Sequence, residues 1–375
     1  MSKTEELLRE LIALPSVNPA FLPERHPHAG EQRVAKFLAA TAARAGLEVE
    51  LQLVFPGRQN LLARLSPSGR VRRRVLLAPH LDTVNADDGQ FTPRRSGGRL
   101  FGRGACDTKG SVAAMLSALC ELAQSKQRPA ETEIVFAGLV DEENGQAGSR
   151  ALAAIGLKAD LAIVGEPTLL KAVTSHKGSL WLQLETRGKA AHGARPELGR
   201  NAVHTMARIV DLLETQYAAQ LQRRRHDLLG WATVSVGVIS GGTQANIVPD
   251  HCEILVDRRT LPGETEAGVR REISQLLNRK GFKADLGSDK LSPCLPMETD
   301  TKLPLVAEFL RSVGQTKPAG VHYFCDASVL THGGIPSVVF GPGDIAQAHT
   351  AEEWISLDSL ERAKALLLRF LKSQL

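Results

Sequence analysis

The stretch VLLAPHLD at residues 75–82 decides the fold expected of this chain. Its first five residues form a continuous apolar run, which is typical of a strand buried on both faces of a sheet. Two polar residues, His80 and Asp82, follow that run directly. Ligands of open α/β sheets bind at the carboxyl ends of the strands. The sequence therefore predicts a functional edge at this strand end.

The same arrangement recurs twice further along the chain. A second apolar run at 134–140 is followed by three carboxylates at 141–143, and a third run at 161–164 is followed by Glu166. An alanine-rich stretch at 111–123 predicts a helix between the first two strands. This alternation predicts an α/β fold in which a mainly parallel sheet is covered by helices.

The middle of the chain has a different pattern. After residue 180 we expect a strand, a helix at 201–215, two further strands and a helix at 264–280. A self-contained set of elements between two parts of another domain indicates an inserted α+β module. The expected organisation is a catalytic domain in two parts, 1–179 and 293–375, with the inserted domain at 180–292.

Composition excludes several classes of protein. The 375 residues are 43% hydrophobic and 23% charged, as in globular proteins. No apolar run is long enough to span a membrane, and the first residues contain no apolar signal region, so we expect a cytoplasmic protein that binds no membrane. The net charge is +5, but the basic runs at 70–74 and 223–226 contain no aromatic residues, which argues against nucleic-acid binding. Five widely spaced cysteines without a Cys-x-x-Cys pair indicate reduced thiols.

Two further polar residues follow glycine-rich segments. Asp107 comes shortly after Gly102 and Gly104, just before the predicted helix, where the helix dipole stabilises an anion. The segment matches neither a dinucleotide-binding loop nor a phosphate loop, because the required glycine spacings are absent. His349 follows the glycine-rich turn at 341–343.

Each of these groups alone is compatible with an ordinary hydrogen bond or a solvated surface. Together, two histidines and three carboxylates at strand ends of one α/β domain provide enough ligands for two cations that share one carboxylate. One acid is then left over as a base.

The motifs resemble those of the dinuclear-zinc hydrolases that include acetylornithine deacetylase, succinyl-diaminopimelate desuccinylase, aminoacylases and bacterial glutamate carboxypeptidase. The resemblance covers nearly the whole chain. The matching motifs are, in chain order, His80-x-Asp82, Gly102-x-Gly104-x-x-Asp107-x-Lys109-Gly110, Asp141-Glu142-Glu143, Gly165-Glu166-Pro167-Thr168, the segment 191–202, Gly241-Gly242-Thr243 with Asn246, Asp257-x-Arg259-x-x-Pro262-Gly263, and the segment 340–349.

The resemblance implies a zinc-peptidase-like catalytic domain, two Zn²⁺ ions with Co²⁺ as a substitute, and specific roles for the residues. It assigns His80 and Glu166 to one metal and Glu143 and His349 to the other, with Asp107 bridging them. It makes Asp82 the residue that orients His80. It also makes Glu142 the general base, which takes a proton from the attacking water and later gives it to the leaving amine.

The resemblance also implies roles for residues of the inserted module. It makes this module the dimerisation, or lid, domain of a homodimer. His192 would stabilise the oxyanion in the partner subunit's site, whereas the residue alone suggests an ordinary surface histidine. Asn246 would line the substrate pocket. Arg259 would bind the substrate carboxylate, and the alternative is an ion pair at a strand edge.

The expected reaction is hydrolysis of an N-acyl amide on a small-molecule amino acid with a free carboxylate. The resemblance is closest to acetylornithine deacetylases, which favours N2-acetyl-L-ornithine and a step of arginine biosynthesis. One departure is the segment Cys325-Asp326-Ala327-Ser328, where those deacetylases typically have Thr-Glu-Ala-Pro. The alternatives are a succinyl-diaminopimelate desuccinylase, a dipeptide or glutamate-type carboxypeptidase, and a metal-dependent binding protein without catalysis.

Overall fold

The structure is a computed structural model that describes residues 1–125, 127–288 and 294–375. The chain divides into two compact units. Unit 1 contains Met1–Thr174, Thr299–Ala319 and Cys325–Leu375, and unit 2 contains Ser175–Glu298 and Gly320–Phe324. The sequence places the inserted segment at 180–292, and its end lies outside the described residues.

Both units contain strands as well as α-helices. In chain order, the strands are Glu48–Phe55 (β1), Arg58–Leu65 (β2), Arg73–Pro79 (β3), Arg94–Ser96 (β4), Arg99–Phe101 (β5), Thr132–Gly138 (β6), Leu161–Gly165 (β7), Val173–His176 (β8), Gly178–Arg187 (β9), Ala191–His192 (β10), Arg225–His226 (β11), Gly230–Trp231 (β12), Thr233–Gly241 (β13), Ile247–Val248 (β14), His251–Thr260 (β15), Asp285–Ser288 (β16), Met297–Glu298 (β17), Ala319–Val321 (β18), Ser337–Val339 (β19) and Trp354–Ser356 (β20). The α-helices are Lys3–Ile12 (α1), Gln32–Arg44 (α2), Lys109–Gln124 (α3), Ala147–Ala154 (α4), Ala202–Leu212 (α5), Ala218–Gln222 (α6), Glu266–Arg279 (α7), Pro304–Ser312 (α8), Ala327–His332 (α9) and Leu357–Lys372 (α10).

The large sheet of unit 1 has the strand order β1, β2, β6, β3, β7, β19 and then the start of β8. The four central strands β6, β3, β7 and β19 are parallel, and the flanking pairs are antiparallel. The expected α/β class with a mainly parallel sheet is therefore confirmed. Strands β1 and β2 were not expected, because β1 is an edge strand that is largely exposed and lacks the apolar run of a buried strand.

Helices cover both faces of this sheet, as the apolar strands require. Val75 and Leu77 of β3 belong to the core that α1, α3 and α10 build on one face. Leu76 and Ala78 point the other way and are just as fully buried. The continuous apolar run at 75–79 follows directly from this double burial.

Unit 2 contains an antiparallel sheet in the order β13, β15, β9, β16. Alternate residues of β15, such as Ile254 and Val256, are buried with apolar residues of α5 and α7 in a second core. The helix expected at 201–215 is longer than predicted, since α5 continues through a π-helix at Leu213–Tyr217 into α6.

In the described residues, we find no helix that is both long and apolar enough to cross a membrane.

We predict that Phe309→Ala lowers the free energy of unfolding by about 3–5 kcal/mol, because this side chain is fully buried. Its ring packs edge-on against Phe340 and Phe370, with centroids 5.3 and 5.1 Å away. Urea denaturation followed by circular dichroism measures the change. The control Ile155→Ala removes a side chain that is 57% exposed and should change stability by less than about 0.5 kcal/mol. Equal losses in both variants would contradict this account of the core.

Candidate metal centre

The pairing of the central strands brings the ends of three strands to one edge of the sheet. Pro79 of β3 lies beside Gly165 of β7, and His80 forms a bridge with Leu139, just after β6. The polar residues that follow each strand therefore leave the sheet side by side. This register explains why residues that are far apart in the sequence converge.

Asp107 lies between two histidines. Its Oδ1 is 3.1 Å from Nε2 of His80, and its Oδ2 is 3.4 Å from Nε2 of His349. Each histidine also faces a second carboxylate: Glu166 Oε1 is 3.9 Å from His80 Nε2, and Glu143 Oε2 is 3.1 Å from His349 Nε2. The five groups thus form two neighbouring sets that share Asp107.

The chemistry of this donor set fits metal cations. Single ligand atoms of His80, Asp107 and Glu143 lie within 4.8 Å of one another. Glu143 Oε1 and Glu166 Oε1 are buried and have no hydrogen-bond partner among the described residues. An unpartnered buried carboxylate oxygen is costly unless a cation approaches it. Imidazole nitrogens with carboxylate oxygens are ligands that zinc accepts.

The carboxyl groups of the centre oppose one another's ionisation. Burial, together with the nearby charges of Glu166 and Asp326, raises the pKa of Glu142 well above its usual range. Burial likewise raises the pKa of Glu166. Burial would also raise the pKa of Asp107, but its hydrogen bonds with His349 and His80 hold that pKa below its usual range. Positive charge at this position stabilises the ionised carboxylates.

Asp82 fixes the loop that carries Glu142 and Glu143. The backbone N–H groups of these two residues donate to its Oδ1 and Oδ2, each at 3.1 Å. The fully buried Asp82 carboxylate also lies 3.5 Å from Nδ1 of His80 and accepts a hydrogen bond of 2.8 Å from Asn18 Nδ2. One side chain therefore contacts both the candidate base loop and a candidate ligand.

A second set of charges surrounds Asp141, which begins this loop with a φ of 70°. Asp141 Oδ1 accepts hydrogen bonds from Asn18 Nδ2 and Arg58 Nη2, both at 3.0 Å. Arg58 also donates to both carboxylate oxygens of Glu31, at 2.8 and 2.6 Å. The positive charge of Arg58 thus lies beside the buried carboxylates of both Glu31 and Asp141 and offsets part of their negative charge.

The segment 325–328, which differs from the typical deacetylase sequence, lies in unit 1 near Glu142 and Glu166. Asp326 is 1% exposed and accepts a hydrogen bond of 2.6 Å from Ser149, while its Oδ2 has no hydrogen-bond partner among the described residues. Burial raises the pKa of Asp326 to about 7. Its carboxyl group is therefore a buried neighbour of the centre and not an exposed surface acid.

His192 and Asn246 lie together in unit 2. The short strands β10 and β14 pair His192 with Ile247, and the N–H of Gly193 donates to the Asn246 carbonyl at 2.7 Å. Both His192 and Asn246 are exposed.

Arg259 faces a cleft of about 870 Å³ in unit 2, and its Nε donates to Asp257 at 2.8 Å. The ion pair considered from the sequence therefore exists, although β15 is a central strand and not an edge. Lys177 also lines this cleft, and its buried Nζ donates to the carbonyl of Trp231 at 2.6 Å. Burial and the charges of Arg259 and Arg258 lower the pKa of Lys177.

Several residues of the centre were missed by sequence reasoning. These are Asn18, Glu31, Arg58 and Glu353, of which Glu353 accepts hydrogen bonds from the loop that carries Asp107. Each is a single polar residue in an unremarked segment. The one sequence signal that could have pointed to any of them is the position of Glu353 four residues after His349.

Comparison with known proteins agrees with this architecture. The family described as "Peptidase family M20/M25/M40" matches residues 76–373. The acetylornithine deacetylase of Edwardsiella ictaluri is 32% identical over 380 residues, which cover 97% of this chain and 96% of that protein.

Solved structures share the fold at lower identity. Aminopeptidase PepT from Bacillus cereus superposes with a TM-score of 0.80 at 23% identity, covering 99% of this chain and 98% of its own. The YXEP protein of Bacillus subtilis, a dinuclear metal-binding peptidase, has a TM-score of 0.70 at 14% identity, with 98% and 97% covered. The chain therefore belongs to peptidase family M20/M25/M40 and is a metal-dependent hydrolase of amide or peptide bonds.

Proposed function

We propose that this hydrolase removes the acyl group from an N-acyl amino acid with a free α-carboxylate, and that N2-acetyl-L-ornithine is its substrate. The observation that carries the reaction is the position of Asp107, whose two oxygens face His80 and His349. The relative from Edwardsiella ictaluri, an acetylornithine deacetylase, supports the substrate and with it a step of arginine biosynthesis.

In this proposal, two Zn²⁺ ions occupy the centre, with Co²⁺ able to replace them. His80 and Glu166 would hold one ion, Glu143 and His349 would hold the other, and Asp107 would be the ligand that both share. When bound, such ions polarise the amide carbonyl and lower the pKa of the attacking water. Asp82 orients His80 and holds the loop of the base through its contacts with the two backbone N–H groups.

Glu142 is the general base of the proposed reaction. Its carboxylate takes a proton from the attacking water, whose oxygen forms a bond to the carbonyl carbon of the amide. The C–N bond then breaks, the acyl group leaves as a carboxylate, and the proton passes from Glu142 to the leaving amine. In the protein without bound ions, burial raises the pKa of Glu142 above its usual range.

Residues of unit 2 recognise the substrate in this proposal. Arg259 binds the free carboxylate, for which a planar guanidinium is suited, and the neighbouring cation Lys177 supports this assignment. Asn246 lines the pocket. His192 stabilises the oxyanion in the active site of the partner subunit.

A homodimer through unit 2 is part of the proposal. Strand β13 is at the edge of its sheet and pairs with β15 alone in the described part of the chain. It exposes Val238 and Ile239 at 51% and 57%. A long edge strand with exposed apolar side chains favours pairing with another chain, and a second copy offers the same surface.

The proposed compartment is the cytoplasm. All five cysteines are free, which is compatible with a reducing environment.

Glu142→Gln should lower kcat by about 10²–10⁴-fold, since the amide keeps the size of the side chain but cannot take up the proton. Metal analysis after gel filtration should still find as many ions per chain as in the wild type. Glu48→Gln, at the exposed start of β1, is the control and should keep full activity. A Glu142→Gln enzyme with near wild-type kcat would exclude Glu142 as the base.

We predict that kcat/KM is highest for N-acetylornithine in a panel with N-succinyl-diaminopimelate, N-acetylmethionine and a glutamate-terminated dipeptide. A chelator should abolish this activity, and added zinc or cobalt should restore it, because bound metal ions would polarise the amide carbonyl that the water attacks. A preference for N-succinyl-diaminopimelate or for the dipeptide would identify the desuccinylase or the carboxypeptidase alternative, and a preference for N-acetylmethionine would contradict the ornithine assignment. Metal binding without turnover of any substrate would favour the non-catalytic binding protein.

His192→Ala and Glu142→Gln should each be inactive alone but active when mixed under conditions of subunit exchange. In a mixed dimer, the site with an intact Glu142 receives His192 from the other chain. Random exchange should restore about a quarter of wild-type activity, since half of the dimers are mixed and each has one intact site. The shared site would be contradicted if activity did not recover after verified exchange. It would also be contradicted if a protein that sedimentation shows to be a monomer were fully active.

A further inference from the structure

Glu353 accepts four hydrogen bonds inside unit 1 and is 1% exposed. The backbone N–H groups of Cys106 and Asp107 donate to its Oε1, at 2.8 and 2.9 Å. The N–H of Gly104 and the Nη1 of Arg103 donate to its Oε2, at 2.9 and 2.8 Å. One carboxylate therefore holds almost the whole turn that leads to Asp107.

The same residue belongs to the segment that carries His349. The N–H of Gly102 donates to the Glu353 carbonyl at 3.0 Å, and the following strand β20 pairs with β5. Backbone pairing and the Glu353 carboxylate thus fasten the segment after His349 to the segment before Asp107. The distance between His349 Nε2 and Asp107 Oδ2 is 3.4 Å.

A carboxylate suits this position better than a neutral side chain. The turn at 102–107 directs several backbone N–H groups to one point, and Gly104 has a φ of 81°. A carboxylate offers about four acceptor sites, whereas an amide offers acceptors on its oxygen only. Hydrogen bonds to a charged acceptor are also stronger than neutral ones. Arg103 balances the buried charge.

We propose that Glu353 is a positioning residue that orients Asp107 between His80 and His349, so that metal affinity at the candidate centre depends on it. This inference rests on the proposed two-metal function. Glu353 is not itself a candidate ligand. Its carboxylate accepts hydrogen bonds from the backbone of Asp107 and its neighbours, and from none of the five ligand side chains. Its effect on the metals passes through the direction of the Asp107 side chain.

Glu353→Gln tests this role. The glutamine amide group keeps the size of the side chain but turns an NH₂ toward one of the two donor pairs, so two hydrogen bonds are lost. Changing a residue that orients a ligand typically weakens metal binding by about 10–100-fold. Glu352→Gln is the matched control, because Glu352 is the adjacent residue, is exposed and pairs with Arg94 at 2.9 Å.

The measurement is competition with a chromophoric chelator, which gives the Zn²⁺ and Co²⁺ dissociation constants without substrate. For Glu353→Gln we expect constants about 10–100-fold higher than those of the wild type. The near-ultraviolet circular dichroism of the metal-free protein should be unchanged, and excess metal should restore kcat. Glu352→Gln should bind both ions as the wild type does. A purely structural role would not produce a loss that excess metal restores.

Glu353→Asp separates charge from position, because it keeps the carboxylate but shortens the side chain by one methylene. We expect it to weaken metal binding as well, and it replaces Glu353→Gln if that variant does not fold. Wild-type affinity in either folded variant would overturn the inference. Failure of both variants to fold would also overturn it, since Glu353 would then be needed for folding alone. A wild type that binds no metal would instead overturn the proposed function.

Discussion

The candidate centre depends on two buried carboxylates that accept hydrogen bonds from backbone N–H groups. Asp82 holds the amides of Glu142 and Glu143, and Glu353 holds those of Gly104, Cys106 and Asp107. In the part of the chain that the structure describes, no strand pairs with the amides of these loops. A buried N–H without a partner costs about 1–3 kcal/mol. The two carboxylates remove that cost and at the same time fix the directions in which the ligand side chains leave the backbone.

The buried carboxylates concentrate negative charge at the candidate centre. The positive charges near them differ between the periphery of the centre and its middle. At the edge, Arg58 pairs with Glu31 and Asp141, and Arg103 pairs with Glu353. In the middle, Asp107, Glu143 and Glu166 face histidines, and the described residues place no Lys or Arg within 4.0 Å of them. Fixed cations therefore pair with Glu31, Asp141 and Glu353, whereas the central acids are left to another positive charge. That division supports the assignment of the central group to metal ions.

The sequence predicts the part of this centre that follows from strand geometry. An apolar run with a polar residue at its carboxyl end carries information about both burial and direction, so the sequence alone places His80, Glu143 and Glu166 at one edge of the sheet. Among the supporting residues, it singles out Asp82, two positions after His80, but not Asn18 or Glu353. Asn18 and Asp82 are 64 positions apart, and Glu353 and Asp107 are 246 apart.

Nothing in the local pattern of Asn18, Glu31 or Arg58 distinguishes them from ordinary polar side chains, and Glu353 has only its position four residues after His349 as a signal. Strands β1 and β2 escaped prediction for a related reason, because partly exposed flanking strands lack a continuous apolar run. The length of the helix after Ala202 was underestimated, since its continuation through a π-helix has no distinct sequence signal.

Substrate choice has a different physical basis from the metal centre. The relatives include a deacetylase and an aminopeptidase, so a shared fold does not by itself select the acyl group or the amino acid. In unit 2, the buried Lys177 has no carboxylate within 4.0 Å among the described residues, and Arg259 lines the same cleft. An ammonium group held in this way is stabilised by an anionic ligand. In the proposed function, these two cations would bind a free carboxylate and repel the side-chain ammonium of an ornithine derivative, although Asp257 offsets part of the charge of Arg259. In the proposed function, N2-acetyl-L-ornithine would therefore bind in one orientation, with its carboxylate toward Lys177 and Arg259 and its cationic end away from them.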